Sequence, residues 1–514
     1  MAENFHFLLL LIFLTLLSAS PVLSRNFSPR STGSAPTTAT LDVSASLDQA
    51  LRVLSFDPHQ NLDQEVKSVH HGLGGGGAIS GGLTLELHSR DFLPTSAHPR
   101  PNDYKTLTLD RLRRDYARVK SISTQLALVA HGVKRSDLKP VAEEEEFAAS
   151  AEGIRGPIVS GTSQGSGEYF SRVGIGSPPK PLYMVLDTGS DVTWVQCQPC
   201  ADCYEQSDPI FDPSASSSYS SLPCDSPRCH ALDISACRNS SGGAKGSSCL
   251  YQVSYGDGSY TVGDFATETV TLGDSAPVAG VAFGCGHDNE GLFVGAAGLL
   301  ALGGGPLSFP SQISARSFSY CLVDRDSAAS STLELGAAAA VSGAEVAAPL
   351  LRNRKLDTFY YVGLSGISVG GEMLSIPPSS FAMDESGNGG VIVDSGTAVT
   401  RLQADAYGAL RDAFRRGTAE LPAAEGLSLF DTCYDLSSRT SVEVPTVGFH
   451  FPQGRELRLP AKNYLIPVDG VGTYCLAFAP TTAPLSIIGN VQQQGTRVSF
   501  DLDNSVVGFT ANNC

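Results

Sequence analysis

Tyr183-Met-Val-Leu-Asp187-Thr-Gly-Ser190 returns as Val391-Ile-Val-Asp394-Ser-Gly-Thr397, with the two aspartates 207 residues apart. Each copy is an apolar run, an aspartate, a hydroxyl residue, a glycine and a second hydroxyl residue. The run reads as a buried strand. A single Asp-Thr-Gly or Asp-Ser-Gly is ordinary turn chemistry, in which Asp bonds its own backbone and Gly takes positive φ. Two copies, each behind a buried strand, point to two related lobes that bring Asp187 and Asp394 face to face. Carboxyls about 3 Å apart cannot both ionise, so they share a proton and titrate as a pair. The ionised member can then take a proton from a water between them while the protonated member donates to a peptide carbonyl. The product is a gem-diol, formed without an acyl-enzyme.

The texture around the repeat is all-β. From Gly167 onward, short β-branched and aromatic runs such as Tyr169-Phe-Ser-Arg-Val-Gly-Ile-Gly176 and Ala282-Phe-Gly-Cys-Gly286 alternate with Gly, Pro, Ser and Asp, as strands and turns do. Helical pattern is confined to short pieces, the clearest being Gln403 to Arg415. Of the 10 His, only His230, His287 and His450 follow His131, and none sits in a Ser or Cys nucleophile motif. That argues against the Ser-His-Asp and Cys-His mechanisms. A two-carboxylate glycosidase would need aromatic sugar platforms, and the chain has 1 Trp.

A chain of 514 residues with 42% apolar composition is expected to form two or three domains. Residues 1–24 read as a signal peptide: an apolar run from Phe7 to Leu17, then small residues and Val22-Leu-Ser24. Glu3 and His6 stand where Lys or Arg is usual, but the run is short for a membrane anchor. Residues 25–83 are rich in Ser, Thr and Gly without sustained period, and read as flexible. Thr84-Leu-Glu-Leu-His88 alternates like a strand. Over Tyr104 to Ala130 the recurrence of Leu107, Leu109, Leu112, Tyr116, Val119 and Ile122 predicts an amphipathic helix. The acidic run Glu143 to Glu146 opens a linker. Residues 25–155 are thus expected to form a propeptide cut near residues 145–160, followed by lobes at 156–350 and 351–514.

The charge is uneven. Residues 86–139 hold 11 Lys+Arg against 6 Asp+Glu, whereas 151–514 hold 20 against 36. An acidic body excludes nucleic acid and anionic membranes as partners. A Lys or Arg of the basic leader is expected to pair with the two aspartates near neutral pH and to leave when carboxylates protonate; the plainer role for the leader is a folding aid.

All 12 Cys lie between Cys197 and Cys514. Behind a signal peptide, Cys197, Cys200, Cys203, Cys224, Cys229, Cys237, Cys249, Cys285, Cys321, Cys433, Cys475 and Cys514 read as up to six disulfides formed in an oxidising compartment. Cys197-x-x-Cys200-x-x-Cys203 could in isolation hold zinc or an iron–sulfur cluster, but no His-x-x-x-His follows, so no metal and no cofactor are expected. The seven Cys from Cys197 to Cys249 are an odd number, so at least one pairs outside that stretch or stays free. Asn26-Phe-Ser and Asn239-Ser-Ser are sequons for glycosylation.

Over residues 165–514 the chain resembles the pepsin family of aspartic proteases. The resemblance implies a bilobal fold of two β-barrel lobes with a few short helices and an active-site cleft between them. Asp187 and Asp394 would be catalytic, with Gly189 and Gly396 in the catalytic loops and Ser190 and Thr397 bonding the outer carboxylate oxygens. Trp194 would bond Tyr255, and Tyr255-Gly256-Asp257-Gly258 would be the flap tip over a bound peptide. Ile487-Ile-Gly489 fits the segment beside the second loop, while Leu299-Leu-Ala301 has Ala where Gly is expected. The Cys-rich insertion at 197–249 resembles the plant nepenthesin-type branch, and Cys433 and Cys475 look like partners by the same resemblance. Ser160-Gly-Thr-Ser-Gln-Gly-Ser-Gly-Glu168, His287-Asp-Asn-Glu-Gly291, Asn353-Arg-Lys-Leu-Asp-Thr-Phe-Tyr-Tyr361 and Gly489-Asn-Val-Gln-Gln-Gln494 look like plant guard-cell aspartic proteases. The expectation is a secreted, acid-active endopeptidase of the apoplast or, alternatively, the vacuole. It would be a monomer without membrane anchor, acting on a peptide or protein substrate. The competing reading is a catalytically inactive binding or inhibitor protein on the same fold.

Overall fold

Both apolar runs are strands, and both lie in parallel pairs. Lys180–Asp187 runs beside Gly298–Ala301 with Asp187 opposite Ala301; Val391–Val393 runs beside Ser486–Ile488 with Val393 opposite Ile488. Strands buried on both faces need no polar alternation, which is why these segments read as continuous apolar runs. Each aspartate therefore stands at the C-terminal end of a buried strand whose neighbour fixes its height. The computed structural model describes residues 36–55, 82–92, 101–130, 169–238, 247–255, 259–291, 293, 295–336 and 344–511. All elements named here belong to the unit Thr37–Cys514.

A six-stranded antiparallel sheet joins the two β lobes. Its order is Leu83–Ser89, Ser331–Leu335, Ser317–Cys321, Thr496–Asp501, Val506–Ala511 and Val346–Leu351. Three of the strands come from the C-terminal half and two from the N-terminal lobe, and the leader strand Leu83–Ser89 takes the sixth place, at the edge beside Ser331–Leu335. At the centre, Phe318 stacks on Phe500 with ring centroids 4.6 Å apart, and Tyr360 lies 4.6 Å from Phe500. Such pairs add about 0.5–1.5 kcal/mol each beyond the area they bury. A division at 350/351 falls inside the strand Val346–Leu351, which pairs with Val506–Ala511 and so belongs with the C-terminal half.

The N-terminal half is built on Tyr260–Leu272 paired with Val278–Glu290. Its Cys-rich insertion is stapled by Cys200–Cys203, Cys224–Cys237 and Cys229–Cys249, while Cys197 reaches out to Cys285. That last bridge is the external partner which the odd count requires. Cys433 and Cys475 face each other across antiparallel strands and are bonded, and Cys321 is also in a disulfide. With Cys197 bonded to Cys285 and Cys200 to Cys203, these three supply no thiolate for a metal.

The N-terminal segment departs from its expected flexibility. Thr38–Asp42 is a strand antiparallel to Ser441–Pro445, and Val43–Ser55 is a helix that buries Val43, Ala50 and Val53. Nothing local predicts a five-residue strand whose partner lies 400 residues away; its hydrogen bonds are supplied by tertiary structure. Asn26, Asn239, Gly256, Asp257, Gly258, Cys514 and the acidic run at 143–146 lie outside the described residues.

The helix Tyr104–Ala130 buries Leu107, Leu112, Ile122 and Leu126. Tyr116, assigned to its apolar face by periodicity, is 67% exposed. The inward positions instead include Arg111, Asp115 and Arg118, all at most 2% exposed. Charged residues are almost never this buried unless paired. The long helix is therefore held by ion pairs as well as by apolar contact.

Candidate active site

Arg118 stands between Asp187 and Asp394. Its Nη1 and Nη2 donate to Asp187 Oδ2 and Oδ1 at 3.0 and 2.6 Å, and its Nε and Nη2 donate to Asp394 Oδ2 and Oδ1 at 3.0 and 2.8 Å. One guanidinium nitrogen thus bridges both inner carboxylate oxygens, the place a shared water would occupy. The planar fork of Arg suits such bidentate contact with carboxylates better than a point charge does. A methyl group at Gly189 would overlap Arg118 Nη2, and one at Gly396 would sit 3.1 Å from both Arg118 Cζ and Asp187 Oδ1. The two glycines leave bare backbone on either side of the carboxylates.

The support around the pair is unequal. Thr397 Oγ1 donates to Asp394 Oδ2 at 2.7 Å, and Gly189 N–H donates to Asp187 Oδ1 at 3.0 Å. Ser190 is buried, but its hydroxyl has no hydrogen-bond partner among the described residues. This corrects the expected bond from Ser190 to Asp187, whose Oδ2 accepts instead from Arg118 Nη1 and whose Oδ1 accepts from Arg118 Nη2 and the Gly189 amide. Thr188 does what the sequence did not assign to it. Its Oγ1 donates to Asp394 Oδ1 at 3.2 Å and accepts from the Ser395 amide at 3.0 Å, crossing from one catalytic loop to the other. The signal was present in the middle hydroxyl of each Asp-hydroxyl-Gly triplet. Burial pushes the Asp394 carboxyl up, but the charge and hydrogen bonds of Arg118, with Thr397 and the Gly396 amide, outweigh it and hold the carboxyl below its ordinary 3.8.

Trp194 is fully buried and donates from Nε1 to Tyr255 Oη at 2.9 Å; both rings meet Phe293 edge-on at 5.0 and 5.5 Å. Phe293 completes an aromatic platform that the sequence reading missed. Ala301 packs in this same cluster, with its amide donating to Thr193 Oγ1 at 3.1 Å, and Leu302 N–H reaches Asp187 O at 2.8 Å. The extra methyl is absorbed as apolar packing. Among the described residues no three His, Cys, Asp or Glu side chains gather in a metal-holding arrangement.

Directly after the first loop, Asp191 is enclosed by Gly303 and Gly305, where any Cβ would collide with its carboxylate. Gly305 N–H donates to Oδ1 at 2.9 Å, and Thr358 Oγ1 bonds Oδ2 at 2.6 Å. Burial dominates and pushes the Asp191 carboxyl from 3.8 up to about 6, against the hydrogen bonds from Thr358 and Gly305. The folded state therefore binds this proton more tightly than the unfolded chain. The stability it contributes is complete below pH 3.8 and is lost as pH rises through about 6. Asp191→Asn is expected to remove that dependence, on the order of 3 kcal/mol between pH 4 and pH 7. Urea midpoints of variant and wild type at the two pH values read it, and an unaltered pH dependence in the variant would show the group to be irrelevant.

Residues 169–337 match the family described as xylanase inhibitor N-terminal, and residues 359–511 match xylanase inhibitor C-terminal. The chain is 51% identical over 465 residues to "Aspartyl protease family protein 2" of Arabidopsis thaliana, covering 90% of this chain and 91% of that protein. It is 49% identical to "Protein ASPARTIC PROTEASE IN GUARD CELL 2" of the same plant, covering 84% and 87%. With "Aspartic proteinase nepenthesin-1" of Nepenthes gracilis it shares 42% identity, over 70% of this chain and 82% of the other. Among solved structures, conglutin gamma from lupine seeds superposes with a TM-score of 0.53 at 21% identity, over 68% of this chain and 92% of that one. Basic 7S globulin from soybean gives 0.52 at 20%, over 68% and 93%. At such identities these two show the fold alone.

Proposed function

The chain belongs to the plant pepsin-like aspartic proteases and is an aspartic-type endopeptidase, and from that premise we propose that Asp187 and Asp394 are its catalytic pair, made inactive in a secreted precursor by Arg118. The observation that carries the proposal is the single guanidinium held by both carboxylates. Arg does not deprotonate in proteins, so no proton can be shared and no water activated while it stays. With it gone, the two carboxyls share a proton. One takes a proton from the attacking water as the other donates to the peptide carbonyl, and the gem-diol collapses as a proton passes to the leaving amine. Thr188, Thr397 and the Gly189 and Gly396 amides hold the carboxylates in register. An extended peptide would lie over the two glycines beneath Tyr255.

The descriptions of the matching domain families raise the inhibitor reading for this chain as well. A binding protein has no use for two buried carboxylates aimed at one point, each with hydrogen-bond support, or for a cation that neutralises them. Secretion is supported by the N-terminal apolar run and by the disulfides of the body.

The acid window follows from the charges. Asp394 is held below 3.8, as is Asp91, where burial pushes up but Arg111 and Arg114 win. Depressed carboxyls stabilise the closed form above 3.8 and lose that contribution as pH falls through their lowered values. The full chain is therefore expected to be silent at pH 7 and to begin hydrolysing peptides only below about pH 4, with loss of the segment before about residue 155. Gel mobility and hydrolysis of a quenched fluorescent peptide against pH test this together. Full activity of the intact chain at pH 7 would overturn the precursor reading, as would an intact, silent chain after incubation at pH 3.

A further inference from the structure

Three residues before Arg118 on the same helix, Asp115 enters a second site on the cleft wall. Its Oδ1 accepts the Ala398 and Val399 amides at 2.7 and 3.1 Å, and its Oδ2 is paired with the Arg401 guanidinium. Arg401 is itself anchored through Nη1 to Val399 O at 3.3 Å, and both side chains are buried, at 0% and 5% exposure. Two main-chain donors and a cation thus converge on one carboxylate. All three belong to the body, in the segment that follows Asp394-Ser-Gly-Thr397; only the carboxylate comes with the helix.

We infer that the place filled by Asp115 is a substrate subsite for an acidic side chain, with Arg401 and the Ala398 and Val399 amides as the residues that select it. This deepens the proteolytic reading and rests on it. When the helix leaves, the amides and the guanidinium lose their acceptor, and a Glu or Asp of a bound peptide restores it. The helix rises about 4.5 Å between Asp115 and Arg118, and an extended peptide advances about 3.3 Å per residue. The selected acidic residue therefore lies one or two positions from the scissile bond. Arg118 marks the reacting centre and Asp115 marks the selected side chain, so the helix carries a template of the preferred substrate.

The test uses the full-length chain with a site-specific protease sequence inserted between residues 145 and 160, cut and acid-treated to free the body, then assayed at pH 5. Peptides differing only by Glu or Gln at each of the three positions either side of the cleaved bond are compared by kcat/KM. At one position within two residues of the bond, Glu is expected to exceed Gln by about tenfold or more, the scale of a charge-assisted contact. In Arg401→Gln that ratio is expected to fall towards one, with Arg401→Lys between the two. A wild-type ratio near one at every position overturns the subsite, and so does a Glu preference that survives in Arg401→Gln. If Arg401→Gln does not fold, the wild-type ratio and the Lys variant decide. Failure of the protease reading looks different: no peptide of either series is cut.

Discussion

Asp187→Asn is expected to lower kcat/KM for peptide hydrolysis by about 10²- to 10⁴-fold, the range over which a positioned acid or base contributes, with KM much less affected. Asparagine keeps the volume and accepts from the Gly189 amide, which reaches Asp187 Oδ1 at 3.0 Å in the parent, but it neither takes a proton from water nor shares one with Asp394. The loss belongs to the pair. Asp394→Asn should cost about as much, and the double variant little more than either alone, because residues acting as one unit are far from additive. Steady-state kinetics of the freed body, with unfolding curves to establish that each variant is folded, provide the measurement. Retention of activity within tenfold of the parent in either single variant would remove the dyad as the catalytic centre and direct attention to Asp191, the other buried carboxyl beside the first loop.

What the sequence revealed was what recurs. A strand ending in Asp-hydroxyl-Gly is ambiguous once and informative twice, and in both halves the parallel neighbour places the aspartate at the strand end. The long helix was visible because Leu107, Leu112, Val119 and Ile122 keep a 3.6-residue recurrence over Tyr104–Ala130. The excess of Lys and Arg in the leader pointed to a cation for the two aspartates but not to which one, and only the fold shows the acidic partners Asp91, Asp187 and Asp394 and the cation Arg401 that take Arg111, Arg118 and Asp115 inward. The strand Thr38–Asp42 was invisible because its stability lies in Ser441–Pro445, and the Cys197–Cys285 bridge because it spans 88 residues. Position along a chain says little about contacts of such range. Thr188 differs again: its residue type was noted, but only the approach of the second loop distinguishes a hydroxyl that bonds Asp394 from one, Ser190, that does not.

Arg118→Gln in the full chain is expected to raise the pH at which hydrolysis first appears, from below about 4 to about 5–6. Removing one member of a buried ion pair costs about 3–5 kcal/mol because its partners remain buried and uncompensated. Here the partners have a way out: without the cation the two carboxyls share a proton, the state that catalysis needs. The helix would still be held by Arg111 with Asp91 and Asp326, by Asp115 with Arg401, and by Leu112, Ile122 and Leu126. The variant should therefore fold with its helix docked at neutral pH and release it at a higher pH than the parent, because the guanidinium that depresses Asp394 is gone. Arg118→Lys separates charge from shape. It retains the cation but cannot make four hydrogen bonds to two carboxylates at once, so its midpoint should fall between those of the parent and the Gln variant. Activity and chain length followed across pH 3–7 for all three proteins give the order. A common midpoint would mean that the dyad is released by something other than the loss of Arg118, and the acid response would then have to lie with Asp91 and the far end of the helix.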